Sequence, residues 1–139
     1  LEELREGIAK MARSRLSANS LAQYAAIEIL RNPNPHTTEM VKKLKERRDY
    51  SYKRLQQIDG ITCVNADGAF YLFPRFNFKK LNKWKDDKDF VIKFLRETGV
   101  CTVFGSGFGN YGKEHVRFTF LPNIEILETV FNLLEDYLK

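Results

Sequence analysis

Residues 103–120, VFGSGFGNYGKEHVRFTF, decide the fold of this chain. A β-prone run leads into a loop with four glycines in eight residues, and a second β-prone run then carries Arg117 in its middle. Side chains alternate along a strand, which puts three apolar ones on one face: Val116, Phe118 and Phe120. The other face carries His115, Arg117 and Thr119. Because the apolar face must pack on helices, we expect Arg117 to point the other way, as a clamp for a carboxylate or phosphate.

The rest of the chain reads as helices and short strands. Apolar periodicity predicts helices over about 1–15, 20–31, 38–58 and 86–98, and a last helix from 122 onward. The β-prone runs are 61–64, 69–73, 100–104 and 115–121. Asp67-Gly68 between the first two runs predicts a hairpin. We expect residues 75–86 to be irregular, with Phe76, Phe78, Leu81 and Trp84 covered elsewhere.

From residue 38 the order α-β-β-α-β-β-α predicts an α+β fold, with a small sheet of about three to four strands and helices packed on one face. Asn32-Pro33-Asn34-Pro35 marks the best internal boundary, since neither proline can continue the preceding helix. The run 69–73 is apolar on both faces, which predicts a third layer or a missing partner. The chain also opens on Leu1 inside a helical pattern, so we expect it to be a piece of a larger protein.

Composition limits the classes of function. The formal net charge is +5, with much of the excess in residues 42–54. Such a run suits either a solvated helix face or a nucleic-acid surface, and Glu46 and Asp49 interrupt it.

No apolar run is long enough to span a membrane and no signal peptide precedes the first helix, so we expect a cytoplasmic protein. Cys63 and Cys101 favour two buried thiols over a disulfide, and we expect no metal site.

The glycine loop matches the G-x-G-x-x-G pattern over residues 107–112. A dinucleotide-binding fingerprint needs this loop to open a helix, whereas a β-prone run follows here. We therefore interpret the glycines as allowing close backbone approach at the rim of a cleft. For Arg117 the alternative to a ligand clamp is an interior ion pair with an acidic side chain. Ser106 has no triad partners in sequence, and no catalytic residue is predicted.

Four stretches together carry a family resemblance. They are residues 68–74 (GAFYLFP), the loop 105–112, residues 115–120 (HVRFTF), and residues 13–19 (RSRLSAN) with Ala22-Gln23. In this order they resemble the C-terminal part of a class I/II, fold-type I aminotransferase that depends on pyridoxal phosphate, and they are similar to its alanine aminotransferase branch. The resemblance covers nearly the whole chain.

The resemblance implies a role for each matching position. Arg117 falls on the arginine that binds the substrate α-carboxylate, and Phe70 falls on an aromatic residue that lines the substrate pocket. The glycine loop would close over the site. Either Arg13 or Arg15 would reach the neighbouring subunit's site, with a packing role as the alternative.

The resemblance also implies what this chain lacks. The lysine that forms the Schiff base, and the groups that hold pyridoxal 5'-phosphate, lie upstream in a large domain. Residues 1–36 are then joining helices, and residues 37–139 are the small domain. The intact enzyme would be a homodimer that exchanges an amino group between an amino acid and a 2-oxo acid. We expect this chain alone to be inactive, and to contribute no catalytic, cofactor-binding or metal-binding residue.

Two other classes of function remain open from the sequence. The first is a basic α+β binding module that grips RNA or acidic partners through residues 42–54, although no RNA-recognition motif accompanies that run. The second is a regulatory small-molecule domain that reuses the same sheet. The aminotransferase interpretation implies no nucleic-acid partner and no membrane.

Overall fold

The computed structural model describes residues 1–14, 18–31 and 35–139. The chain divides into two compact units, Leu1–Thr38 and Glu39–Lys139. The predicted boundary at residues 32–35 falls mostly outside the described residues, and the domain limits 1–36 and 37–139 stay a prediction.

The first unit is helical in its described part. It contains α1 (Glu2–Arg13), α2 (Ser20–Arg31) and the first residues of α3 (Pro35–Gln57). Acidic residues Glu2 and Glu3 open α1 and Arg13 closes it, an arrangement that complements the helix dipole. The helices predicted over 1–15 and 20–31 are confirmed within the described residues.

The second unit holds the rest of α3 and every strand found in the described residues. The strands are β1 (Ile61–Thr62), β2 (Tyr71–Leu72), β3 (Arg75–Phe76), β4 (Val103–Phe104) and β5 (Val116–Thr119). The later helices are α4 (Phe78–Leu81), α5 (Asp87–Thr98) and α6 (Ile124–Leu138). No helix in the described ranges is long and apolar enough to cross a membrane.

The strands form two small antiparallel sheets, and this arrangement confirms the α+β class. One sheet pairs β1 with β3, and the other has the order β2-β5-β4. The predicted hairpin between 61–64 and 69–73 is wrong, because Ile61 faces Phe76 in β3 while Leu72 faces Phe118 in β5. Residues 67–70 form a series of bends between the two runs, and Ala69 has a positive φ of 60°.

Residues 75–86 are more regular than we expected. They contain strand β3 and the short helix α4, whose N-cap Asn77 accepts a hydrogen bond from the Lys80 backbone N–H. The predicted cover for the aromatic residues is confirmed, since Phe76, Phe78 and Trp84 are all buried. Phe76 is buried because β3 pairs with β1, and this pairing places Phe76 opposite the buried Ile61.

One aromatic-rich core lies within the second unit. Phe76 packs against Phe90 at 4.9 Å between ring centroids, and Phe118 stacks near Phe131 at 6.3 Å. Helices α3, α5 and α6 each contribute one apolar stripe. The buried core side chains are Leu55, Ile58, Ile61, Leu72, Phe76, Phe78, Trp84, Phe90, Val91, Phe94, Val116, Phe118, Phe120, Leu127, Phe131 and Leu134.

Polar caps fix where the last two helices begin. Asp86 accepts a hydrogen bond from the Asp89 backbone N–H at 2.8 Å, and Asn123 accepts one from the Ile126 N–H at 3.1 Å. Gly99 ends α5 in the left-handed conformation with φ of 76°, as its position after the apolar stripe predicts. The two N-caps and the C-terminal glycine therefore lie where the sequence predicts them.

The prediction of two buried thiols is wrong for Cys101, which is exposed. Cys63 is partly buried, and both cysteines are free. Burial raises the pKa of the Cys63 thiol to about 11. Val100 packs against the core and Thr102 is buried, whereas Cys101 between them is exposed.

Neighbouring leucines in α6 provide a test of the core. We expect Leu134→Ala to lower the free energy of unfolding by about 2–5 kcal/mol, because this side chain is fully buried and its loss leaves a cavity. The matched control is Leu133→Ala, where the leucine is 36% exposed and the expected cost is below about 1 kcal/mol. Urea denaturation monitored by circular dichroism measures both, and equal losses would contradict the assigned helix face.

Candidate functional site

Strand β5 is the central strand of the three-stranded sheet. Arg117 stands opposite Val103 of β4, and Thr119 stands opposite Tyr71 of β2. Val116 and Phe118 are buried, whereas Arg117 is partly buried and Thr119 is exposed. The predicted alternation is therefore confirmed. Arg117 leaves the sheet on the face away from the aromatic core.

The Arg117 guanidinium has no acidic partner among the described residues. Its Nε atom is buried and has no hydrogen-bond acceptor there, and no ion pair involves this side chain in that part of the chain. The alternative of an interior ion pair is thus not what the structure contains. A partly buried guanidinium with unused donors is suited to bind a carboxylate with two parallel hydrogen bonds.

Two aromatic rings lie against the guanidinium instead. Its central carbon lies 5.3 Å from the ring centroid of Tyr71 and 5.1 Å from that of Phe108. Tyr71 belongs to β2, and Phe108 belongs to the glycine loop. These distances are within the range of cation–π attraction. The site therefore combines one cation with ring faces from two separate elements.

The glycine loop consists of two short 3-10 turns, Gly105–Phe108 and Asn110–Gly112. Its two ends touch, since a Cβ atom built on Gly112 would lie 1.9 Å from the Gly105 carbonyl oxygen. A Cβ on Gly105 would likewise lie 2.3 Å from the Gly112 oxygen. Between them, Gly109 has φ of 108°, which favours glycine. The interpretation of close backbone approach is confirmed for Gly105 and Gly112, and their place at the rim of a cleft stays a prediction.

Hydrogen bonds hold the base of this loop. The Gly105 N–H donates to the His115 carbonyl at 2.8 Å, and the Ser106 N–H donates to Asp87 Oδ2 at 2.6 Å. Asp87 is buried in the first turn of α5, so it ties the loop to that helix. The tip is different, because Phe108 is 57% exposed and Tyr111 is fully exposed. The loop thus has a fixed base and an accessible tip.

Phe70, the predicted pocket aromatic, lies immediately before β2. Its carbonyl accepts a hydrogen bond from the Phe120 N–H at 3.0 Å, and its ring is 47% exposed. The ring meets Tyr71 edge-on at 5.7 Å, so Tyr71 lies between Phe70 and the guanidinium of Arg117 in this chain of contacts. The predicted role of Phe70 stays a prediction. Sequence reasoning missed Tyr71 and Phe108, the two rings that do contact Arg117.

The two arginines near the first helix are not assigned by the structure. Arg13 is exposed at the end of α1, and Arg15 lies outside the described residues. The question of which one reaches a neighbouring subunit therefore stays open.

Much of the basic run in α3 is engaged within the chain. Arg54 binds Glu135 at 2.8 Å and Asn132 at 2.8 Å, both in α6. Arg48 donates to the Ala66 carbonyl at 2.9 Å, and Arg47 donates to the Leu121 carbonyl. These side chains connect α3 to other elements of its unit. Their geometry gives no specific support for an RNA-binding surface.

Comparison with known proteins identifies the family. The family model for aminotransferase class I and II matches residues 1–131. This chain belongs to the class I and II aminotransferase family.

Two aminotransferases are similar to this family member over most of its length. The glutamate-pyruvate aminotransferase of Haemophilus influenzae is 35% identical over 96% of this chain, and the aspartate aminotransferase of Bacillus subtilis is 35% identical over 86%. These matches cover 33% and 30% of the two relatives. The chain therefore spans about one third of the length of the relatives it matches.

Solved structures agree with the sequence relatives. The alanine aminotransferase from Pyrococcus furiosus superposes with a TM-score of 0.86 at 48% identity, covering 99% of this chain and 34% of that one. The aspartate aminotransferase of Thermotoga maritima gives a TM-score of 0.77 at 33% identity, covering 99% of this chain and 33% of that one. The resemblance read from the four sequence stretches is thus confirmed, including its similarity to alanine aminotransferases.

The close contact of the two glycines gives a test of the loop in this aminotransferase chain. We expect Gly112→Ala to lower the free energy of unfolding by about 1–3 kcal/mol, because the new methyl group meets a backbone oxygen that cannot rotate away. The control is Gly68→Ala, where an added Cβ meets nothing within 4 Å. Thermal and urea unfolding compare the two, and a Gly112→Ala variant as stable as the control would refute the contact.

Proposed function

We propose that this chain is the small-domain part of a pyridoxal-phosphate-dependent aminotransferase, in which Arg117 binds the α-carboxylate of the substrate. The whole enzyme would transfer an amino group between an amino acid and a 2-oxo acid. The observation that carries this proposal is a guanidinium on a central strand, without an acidic partner among the described residues and with a buried, unpaired Nε. Family membership supplies the reaction class.

One carboxylate clamp serves both substrates of such a reaction. An amino acid and a 2-oxo acid each carry a carboxylate on the carbon next to the reacting position. A guanidinium forms two parallel hydrogen bonds with that group, which fixes both the position and the plane of the substrate. Strand pairing on both edges of β5 keeps the backbone of Arg117 rigid. Phe70 would line the pocket beyond the clamp, and the loop 105–112 would close over it.

We assign no residue of this chain to the cofactor. When bound, pyridoxal phosphate supplies the group that carries the amino group from one substrate to the other. The described side chains with buried, unpaired polar atoms are Ser51, Thr102 and Arg117, and among these Arg117 alone is a cation. One guanidinium suits a carboxylate, whereas the cofactor also needs a lysine and a phosphate-binding group. We place those groups, including the Schiff-base lysine, outside this chain, and we expect the isolated chain to be inactive.

Partners and location follow from the same proposal. The intact enzyme would be a cytoplasmic homodimer, with an amino acid and a 2-oxo acid as its substrates and without a nucleic-acid or membrane partner. Alanine is the first amino acid to assay, because the structure from Pyrococcus furiosus with 48% identity is named an alanine aminotransferase.

A conservative substitution tests the clamp. In the full-length enzyme, Arg117→Lys should lower kcat/KM by about 10- to 100-fold, since lysine cannot form two parallel bonds to a carboxylate. The absorbance of the bound cofactor should not change. The matched control is Arg75→Lys. Arg75 lies in β3 and forms an exposed ion pair with Glu114, so this substitution should leave kcat/KM within about twofold of the wild type. An unchanged kcat/KM in Arg117→Lys would remove the assigned role.

A further inference from the structure

We propose that Tyr71 and Phe108 are positioning residues for Arg117, which hold its guanidinium by their ring faces and leave its N–H groups free for the substrate. This inference rests on the proposed function for the role of Arg117 in binding a carboxylate. The holding contacts themselves are independent of that role.

A guanidinium at a binding site needs support that does not consume its donors. Arginine carries several rotatable bonds, so an unsupported side chain loses conformational freedom when it binds a ligand. A nearby carboxylate would fix it, but that carboxylate would occupy the same N–H groups that a substrate needs. Aromatic rings attract the cation through their faces, whereas the hydrogen-bond donors of a guanidinium lie in its plane. Ring contacts therefore orient Arg117 without competing for its ligand.

The contacts in this chain have that form. The central carbon of Arg117 lies 5.3 Å from the Tyr71 ring centroid and 5.1 Å from that of Phe108. No acidic side chain among the described residues forms an ion pair or a hydrogen bond with this guanidinium. The Phe108 ring is backed by Phe73 at 5.9 Å, and Phe73 stacks on His115 at 4.9 Å. A row of aromatic side chains thus supports the ring on the loop side.

The two rings come from elements with different constraints. Tyr71 sits in β2, which pairs with the strand that carries Arg117. Phe108 sits at the accessible part of the glycine loop, whose ends are fixed by the contact between Gly105 and Gly112. A change in the loop would remove one ring from the guanidinium while the other stays. The orientation of Arg117 is therefore coupled to the conformation of the loop.

The first experiment measures the guanidinium without any substrate. The Arg117 Nε–H is observed by nitrogen-15 NMR in the chain itself, and its hydrogen exchange is compared among variants. We expect Tyr71→Leu and Phe108→Leu to speed this exchange by about two- to tenfold, in line with the loss of one cation–π contact. Tyr71→Phe keeps the ring face and should behave as the wild type. The control is Tyr111→Leu, a fully exposed ring in the same loop.

The leucine variants should fold, because Tyr71 is 38% exposed and Phe108 is 57% exposed. Circular dichroism checks this before the exchange is compared. If one leucine variant unfolds, the other still decides the proposal, because its exchange can be compared with that of Tyr71→Phe and Tyr111→Leu.

The second experiment measures KM and kcat in the full-length enzyme. We expect each leucine variant to raise KM for the amino acid by about two- to tenfold and to change kcat by less than about twofold, because a poorly oriented guanidinium binds the carboxylate less well. Tyr71→Phe, which keeps the ring face, should have the KM of the wild type. Leucine variants with wild-type KM, in an enzyme where Arg117→Lys does lower kcat/KM, would overturn the positioning role.

The two experiments separate this inference from the proposed function. Unchanged Nε–H exchange in both leucine variants overturns the inference, whatever Arg117 binds. Faster exchange in an enzyme whose kcat/KM is unaffected by Arg117→Lys supports the ring contacts and refutes the carboxylate-binding function instead.

Discussion

Strand β5 is paired on both edges, so each of its side chains must either enter the aromatic core or leave it on the other face. Val116 and Phe118 enter the core, and their burial fixes the register of the strand against β2 and β4. A slip by one residue would carry the guanidinium of Arg117 into the cluster around Phe76 and Phe131, where it would lose its hydration without a partner. The position of Arg117 is therefore a consequence of core packing.

The glycine loop adds a second constraint at the same end of the sheet. Gly105 follows β4 and Gly112 comes shortly before β5, so their backbone contact closes the connection between these two strands. The buried carboxylate of Asp87 joins that closure to α5 through the Ser106 N–H. Beyond this base, Phe108 stays largely exposed and still lies against Phe73 and Arg117. The loop closure that we propose would be compatible with a fixed base and a tip with few buried contacts.

Aromatic side chains have two different tasks in this unit. On the core face they are buried against one another, as Phe76, Phe90 and Phe118 are. On the other face Tyr71 and Phe108 are partly exposed and lie against a cation. These two tasks explain why the run 69–73 has apolar side chains on both faces. Leu72 enters the core, whereas the ring of Tyr71 on the other face contacts the guanidinium of Arg117 in the same sheet.

Local chemistry let the sequence determine the ends of α5 and α6, the alternation along β5 and the need for glycine in the loop. Asp86, Gly99 and Asn123 act within one helical turn of themselves, so their roles do not depend on distant residues. Family membership could also be recognised from the sequence, because each of the family's motifs is a continuous stretch of residues. Strand pairing could not be predicted, since β1 and β2 are neighbours in sequence, yet β1 pairs with β3 and β2 pairs with β5. Tyr71 reaches Arg117 through the pairing of β2 with β5, and Phe108 reaches it through the conformation of the glycine loop between β4 and β5. No local pattern encodes either contact, so the tertiary structure alone decided what surrounds the guanidinium.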